Sequence, residues 1–216
     1  MEIKDSVIKT YLKNVYFITG TPCGGKTTIS RALTKKHGFT LYDVDEEFAK
    51  HKELSNSLDQ PAMNMEFANA DEFFLRPYKE YGRWLIENTR QQLDFVLLDL
   101  IRLSQSQIVI CDLHLTLSQA QALTTPDHIV FLLTNPHHLI DDYCGRPDHE
   151  GFTNFINSAS DPALAKQNCN RTLEYINVEG YEAIKKSQYF WLERDKNSTV
   201  ENTLRLVEQH FGFRNV

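Results

Sequence analysis

Apolar residues fall along the chain in two rhythms. Short unbroken runs have the length and the β-branched or aromatic content of strands: VYFIT (15–19), FTLYD (39–43), IVIC (108–111), HIVFLL (128–133) and QYFWL (188–192). Three of them are nearly all apolar, the pattern of strands covered on both faces. Between the runs, apolar positions recur at helical spacing. Ile29, Ala32 and Leu33 share one face of a helix that stops at Gly38, a residue suited to the left-handed position after a helix end. A last helix opens at Ser198-Thr-Val-Glu201, which has the form of a capping box, and lines up Val200, Leu204, Val207 and Phe211. Strands alternating with helices predict an α/β fold around a parallel sheet.

Two segments interrupt this alternation. Residues 55–103 are long for a simple crossover, rich in aromatics and mostly helical in pattern, so they predict a helical insertion over one side of a cleft. Residues 145–162 (GRPDHEGFTNFINSASDP) show little periodicity and predict a mobile, lid-like loop. The chain of 216 residues, 1–216, reads as a single domain.

Composition narrows the classes. Hydrophobic residues make up 41% and charged residues 24%, an ordinary globular balance. A net charge of -6 argues against a protein that holds nucleic acid by bulk electrostatics. The first residues, MEIKDSVIKTYLK, lack the apolar core of a signal peptide, and no apolar run nears the roughly 20 residues that cross a bilayer. Cys23, Cys111, Cys144 and Cys169 are widely spaced and form no CxxC pair, which favours thiols in a reducing compartment. The expectation is a cytoplasmic protein with no membrane or nucleic-acid partner, with monomer and homodimer both open.

The candidate chemistry begins after the first strand. Gly20-Thr21-Pro22-Cys23-Gly24-Gly25-Lys26-Thr27, followed by Thr28, fits G-x-x-x-x-G-K-[ST]. Glycines let successive backbone N–H groups curl around an anion, and the helix that starts near Gly25 aims its positive end at the same place. Lys26 adds a mobile cation for the outer phosphates, and the Thr27 hydroxyl is placed to ligate Mg²⁺. Cys23 reads as a small side chain that fits the loop, in an electropositive setting that would favour oxidation.

Such a loop works with a carboxylate at the end of a neighbouring strand. FVLLD ends at Asp99 and IVICD at Asp112. Asp99 sits within a helical pattern and reads as a helix-surface residue, whereas Asp112 closes a β-branched run after the breaker SQSQ. Asp112 is therefore the candidate metal ligand. Asp43-Val-Asp45 follows the second strand at alternate positions. Asp43 is a second candidate for Mg²⁺, and Asp45 for orienting or deprotonating a substrate hydroxyl. Asp45 is equally a candidate helix cap, and the two roles are compatible.

Negative charge spread over a moving phosphoryl group calls for arginines. Arg146 lies in the Gly/Pro-rich loop and Arg171 on the helix beyond it, while Arg76 and Arg83 in the aromatic segment are candidates for an acidic group on the acceptor. His137-His138 with Asp141-Asp142, or Asp112 with His114, have no ligand spacing that marks a transition-metal site.

Taken together these residues resemble the small P-loop kinases, above all shikimate kinase and its nucleoside- and gluconate-kinase relatives. The points of resemblance are GTPCGGKTT, the Asp43-x-Asp45 pair, Glu72-x-x-x-Arg76, Arg146 in a lid-like loop, and Arg171-x-x-x-Tyr175. The resemblance implies a P-loop NTPase fold with a five-stranded parallel sheet, an acceptor-binding insertion and a lid. It also implies ATP and Mg²⁺ as cofactors, Asp43 serving the metal, Asp45 meeting the acceptor hydroxyl, and Arg194 in an adenine-contacting loop. The chain has Cys111-Asp112-Leu113 where shikimate kinase carries Gly-Gly-Gly, so the resemblance carries the kinase class and not shikimate as the acceptor.

Overall fold

A computed structural model describes residues 3–137, 143 and 149–213. The elements follow in the order α1 (Asp5–Tyr11), β1 (Val15–Gly20), α2 (Lys26–His37), β2 (Thr40–Asp43), α3 (Val44–Leu54), α4 (Ala70–Phe74), α5 (Tyr78–Leu103) and β3 (Val109–Asp112). Then come α6 (Leu117–Leu123), β4 (Ile129–Leu133), α7 (Glu150–Asn157), α8 (Pro162–Lys185), β5 (Trp191–Glu193) and α9 (Val200–Phe211).

The strands form one sheet in the order β2-β3-β1-β4-β5, and every pair is parallel. All five residues of β4, unbroken in apolar composition, are buried, and so are all four of β3, including Asp112 at its end. Because β1 lies between β3 and β4, the chain leaves β1 toward one edge and later returns to fill the other. Open α/β sheets bind ligands at the carboxyl ends of strands beside such a switch point. Ile29 and Leu33 of α2 and Val207 and Phe211 of α9 pack with Ile18, Ile110, Val130 and Leu132 of the sheet.

The chain divides into two compact units. One comprises residues 1–48, 95–134 and 180–216 and contains the sheet; the other comprises 49–94 and 135–179. The second unit has its own core, in which Phe74, Tyr81, Ile156, Ala165, Cys169 and Leu173 are buried and Phe73, Trp84 and Phe152 pack against them.

Four local expectations change. The segment expected as a loop contains a helix, α7, and Phe152, Phe155, Ile156 and Ala159 supply the helical spacing that the Gly, Pro and Ser content obscures. Residues 145–148, including Arg146, lie outside the described residues. The cap of α9 is Thr199, whose side chain accepts from the Asn202 N–H, because Asp195 already engages the Ser198 hydroxyl at 2.9 Å. Val200, expected on the buried stripe, is exposed, being the first helical residue beyond that cap. Asp99 lies on α5 but turned inward: its side chain is 15% exposed and accepts from the Tyr42 hydroxyl at 3.1 Å.

Candidate functional site

Strand β1 ends at Gly20, where the loop passes so close to β4 that a Cβ would lie 2.0 Å from the Leu132 carbonyl oxygen. Gly24 approaches the same oxygen, at 2.3 Å for a Cβ, so the loop lies on the β4 backbone and only glycine fits at either contact. The Thr21 hydroxyl completes the attachment. It accepts from the Thr134 N–H at 2.6 Å and donates to the Thr134 carbonyl at 3.1 Å. Thr21 thus serves the site by fixing the loop, with its side chain buried and committed to β4.

Beyond Pro22 the chain turns through Cys23 at φ 59 and Gly25 at φ 90. Gly25 enters this left-handed region freely and forms the cap of α2, whereas Cys23 is the one non-glycine residue with positive φ among those described. That conformation costs an ordinary residue about 1 kcal/mol or more. Cys23, Cys111 and Cys169 are all buried, outside any disulfide. Lys26, Thr27 and Thr28 form the first turn of α2, and Lys26 Nζ donates to the Thr21 carbonyl at 3.1 Å.

Three carboxylates meet this loop. Asp112 ends β3, pairs in register with Ile18 of β1 and with Asp43 of β2, and is 5% exposed. Burial pushes its carboxyl up to about 6; Lys26 and a hydrogen bond from Thr27 oppose the rise, and Asp43 and Asp45 add to it. Its Oδ2 is buried with no hydrogen-bond partner. A buried carboxylate oxygen without a partner is costly unless a cation or donor completes it. With the Thr27 hydroxyl and Asp43 it makes a hard, all-oxygen donor set of the kind Mg²⁺ takes. Asp43 occupies the cap position of α3, its Oδ1 accepting from the Asp45 N–H at 3.2 Å, with Arg31 3.7 Å from Oδ2. Asp45, considered above as a cap, lies instead in the first turn of α3 with its side chain exposed.

On the other side of the loop, a cleft of about 230 Å³ is lined by Gly24, Thr28, Leu192, Arg194, Ser198 and Thr203, among others. Its volume is below the roughly 300–1,000 Å³ of pockets that enclose a whole ligand. It suits one flat ring system whose charged remainder continues onto the loop. Arg194 donates from Nη1 to the Cys23 carbonyl at 3.0 Å.

The remaining arginines belong to the second unit. Arg76 is enclosed by rings, its guanidinium carbon 4.4 Å from the Phe67 centroid, 4.7 Å from Tyr81 and 4.9 Å from Trp84. Its Nε donates to the Phe73 carbonyl, and its Nη2 is buried without a hydrogen-bond partner. Burial holds this guanidinium below its ordinary value, against the opposing pull of Tyr81, Glu80 and Glu72. Arg83 is exposed on α5, and Arg171, exposed on α8, stacks 4.2 Å over the Tyr78 ring. The structure therefore brings together the loop, Asp43, Asp45, Asp112 and Arg194 within one unit.

Sequence reasoning missed two neighbours of the loop. His114 Nδ1 lies 3.1 Å from the Gly20 carbonyl oxygen, and Thr134 supplies the backbone that anchors Thr21. His114 lies two residues beyond Asp112, a spacing that carries no signal by itself. Thr134 follows an apolar strand and is visible only once β4 is known to adjoin β1.

A parallel five-stranded sheet with this glycine-rich loop between β1 and α2 defines a P-loop α/β protein. The sequence profile of a family described as an AAA domain matches residues 17–150, and the chain belongs to that family. No curated protein matches the chain in sequence. Among solved structures, TT1252 from Thermus thermophilus is similar at 15% identity, covering 90% of this chain and 96% of that one, with a TM-score of 0.53. A shikimate kinase from Bacteroides thetaiotaomicron is similar at 14% identity, 92% and 98% coverage and a TM-score of 0.50. A dephospho-CoA kinase from Campylobacter jejuni matches at 15% identity, 91% and 97% coverage and a TM-score of 0.45. At these identities the likeness to the first two structures shows the fold alone.

Proposed function

We propose that the protein is an ATP- and Mg²⁺-dependent kinase that phosphorylates a small molecule on a hydroxyl group. The observation that carries this reading is Asp112: a buried carboxylate with an uncompleted oxygen, set between the loop's Thr27 and the strand-end Asp43. Thr27, Asp43 and Asp112 would hold Mg²⁺, which when bound supplies charge neutralisation to the outer phosphates. The loop's backbone N–H groups from Cys23 to Thr28, at the start of α2, bind the phosphates, and the cleft beside Arg194 takes the base. Lys26 leaves the Thr21 carbonyl to follow the transferred group. Asp45, exposed beside the half-buried Asp43 and the buried Asp112, accepts the proton of the acceptor hydroxyl or fixes its direction. Arg146 and Arg171 are assigned to the moving phosphoryl group, and Arg76 and Arg83 to an acidic group on the acceptor.

The test is ADP formation from Mg-ATP in the presence of a broad set of hydroxylated metabolites and nucleoside monophosphates. Lys26→Ala should lower acceptor-stimulated turnover by about 10²-fold or more. Asp45→Asn should lower it by about 10²- to 10⁴-fold while leaving ATP binding near wild type. Stimulation by nucleoside monophosphates alone would redirect the reading to a nucleotide kinase, and slow ADP release that no acceptor alters would favour a nucleotide-dependent switch.

A further inference from the structure

Arg194 stands in the wall of the base cleft, yet its guanidinium reaches the phosphate loop. Nη1 donates to the Cys23 carbonyl at 3.0 Å, and Cys23 is the loop residue held at φ 59. The arginine is itself well founded. Its N–H donates to the Leu133 carbonyl at 2.8 Å, one step beyond the Leu133–Glu193 pair of the β4–β5 ladder. Glu193, just before it, accepts from Lys185 at 2.8 Å and from the Tyr181 hydroxyl at 2.7 Å. The guanidinium is thus carried on a strand end that is anchored from both sides.

We infer that Arg194 is a positioning residue for the phosphate cradle, coupling the base cleft to the loop's shape by holding the Cys23 peptide. The inference rests on the nucleotide reading of the site and assigns Arg194 a duty beyond a base contact. A trans peptide is planar, with its C=O and N–H on opposite edges, so fixing the carbonyl fixes the amide of Gly24 as well. That amide faces into the loop, donating to the Thr21 carbonyl at 3.3 Å. The same bond keeps Cys23 in a backbone conformation that its side chain disfavours. A ligand ring entering beside Arg194 and a phosphate entering the loop therefore meet the two ends of one hydrogen bond.

The experiment uses inorganic tripolyphosphate, which has the phosphates but no base. Binding of Mg-tripolyphosphate and of Mg-ATP is titrated calorimetrically to the wild type, Arg194→Gln, Cys23→Gly, the double variant and Lys26→Ala. Arg194→Gln is expected to weaken tripolyphosphate by about tenfold or more, the scale of a lost charge-assisted hydrogen bond. With glycine in place of Cys23 the turn is unstrained, and the same substitution is expected to cost threefold or less, on the order of what Gly gains at positive φ. Loss of ATP affinity with tripolyphosphate unchanged would overturn the inference, since Arg194 would then contact only the base. Equal losses in both Cys23 and Cys23→Gly backgrounds would also overturn it, because the arginine would then act through charge on the phosphates. Should Arg194→Gln fail to fold, Arg194→Lys carries the same expectation, keeping the charge without the planar fork. Failure of the wild type to bind either ligand would overturn the nucleotide reading itself, whereas binding that Lys26→Ala abolishes upholds that reading whatever Arg194 does.

Discussion

Asp112 shows how one residue records both stability and chemistry. In the folded protein its carboxyl is raised to about 6, burial first and Asp43 and Asp45 after it, against an unfolded value near 3.9. An acid with a raised folded value penalises folding above that value, and the penalty fades as pH falls toward the unfolded one. Asp112→Asn should therefore stabilise the unliganded protein at pH 7 by about 1–2 kcal/mol, read as a higher Tm. The same substitution should abolish the Tm increase that Mg-ATP gives the wild type. A lower unliganded Tm would mean that the Asp112 charge is not strained. Asp112 was legible in the sequence because a β-branched run ends on it. Its uncompleted oxygen was not, since that depends on which strands flank β3. The anchoring duty of the Thr21 hydroxyl was hidden for a related reason: its partners lie 113 residues away on Thr134.

Among the elements, α2 and α9 make the clearest pair. Glu208 of α9, with a side chain 10% exposed, meets Lys36 Nζ and His37 Nε2 of α2, both at 2.7 Å. Burial pushes the Glu208 carboxyl up, but hydrogen bonds and charge from Lys36 and His37 outweigh it and hold it below its ordinary value. Its stabilisation is thus present above the unfolded value of about 4.3 and lost as pH falls through the folded one. Glu208→Gln should lower stability at pH 7 by about 1–2 kcal/mol, and the gap from wild type should close in melts taken down to pH 3. Thr199→Ala, removing the cap of α9, should cost about 1 kcal/mol by chemical denaturation. Apolar spacing foretold both helices, and Gly38 marked the end of α2. The cap moved by one residue because Asp195, outside the helix, engages Ser198 first.

At the scale of the whole molecule, five apolar runs became five strands, with boundaries shifted most in β5, the edge strand of three partly buried residues. An edge strand has a neighbour on one side only, and β5 is only partly buried along its length. Strand order is a different matter: nothing local says that β1 lies between β3 and β4, yet that order sets Asp112 and Asp43 side by side and seats the loop on Leu132. The helix α7 was hidden by a composition rich in Gly, Asn and Ser, although its aromatic spacing belongs to the second unit's core. No helix among the described residues is long and apolar enough to cross a membrane.

The central claim is that the γ-phosphoryl group of ATP passes to an organic hydroxyl. It is tested most directly by supplying ATP labelled in that group, with Mg²⁺ and pooled metabolite acceptors, and following the label by mass spectrometry. The account predicts a phosphorylated organic product that forms with the wild type and disappears with Asp45→Asn. Label recovered only as inorganic phosphate, at the same rate with or without acceptors, would contradict it.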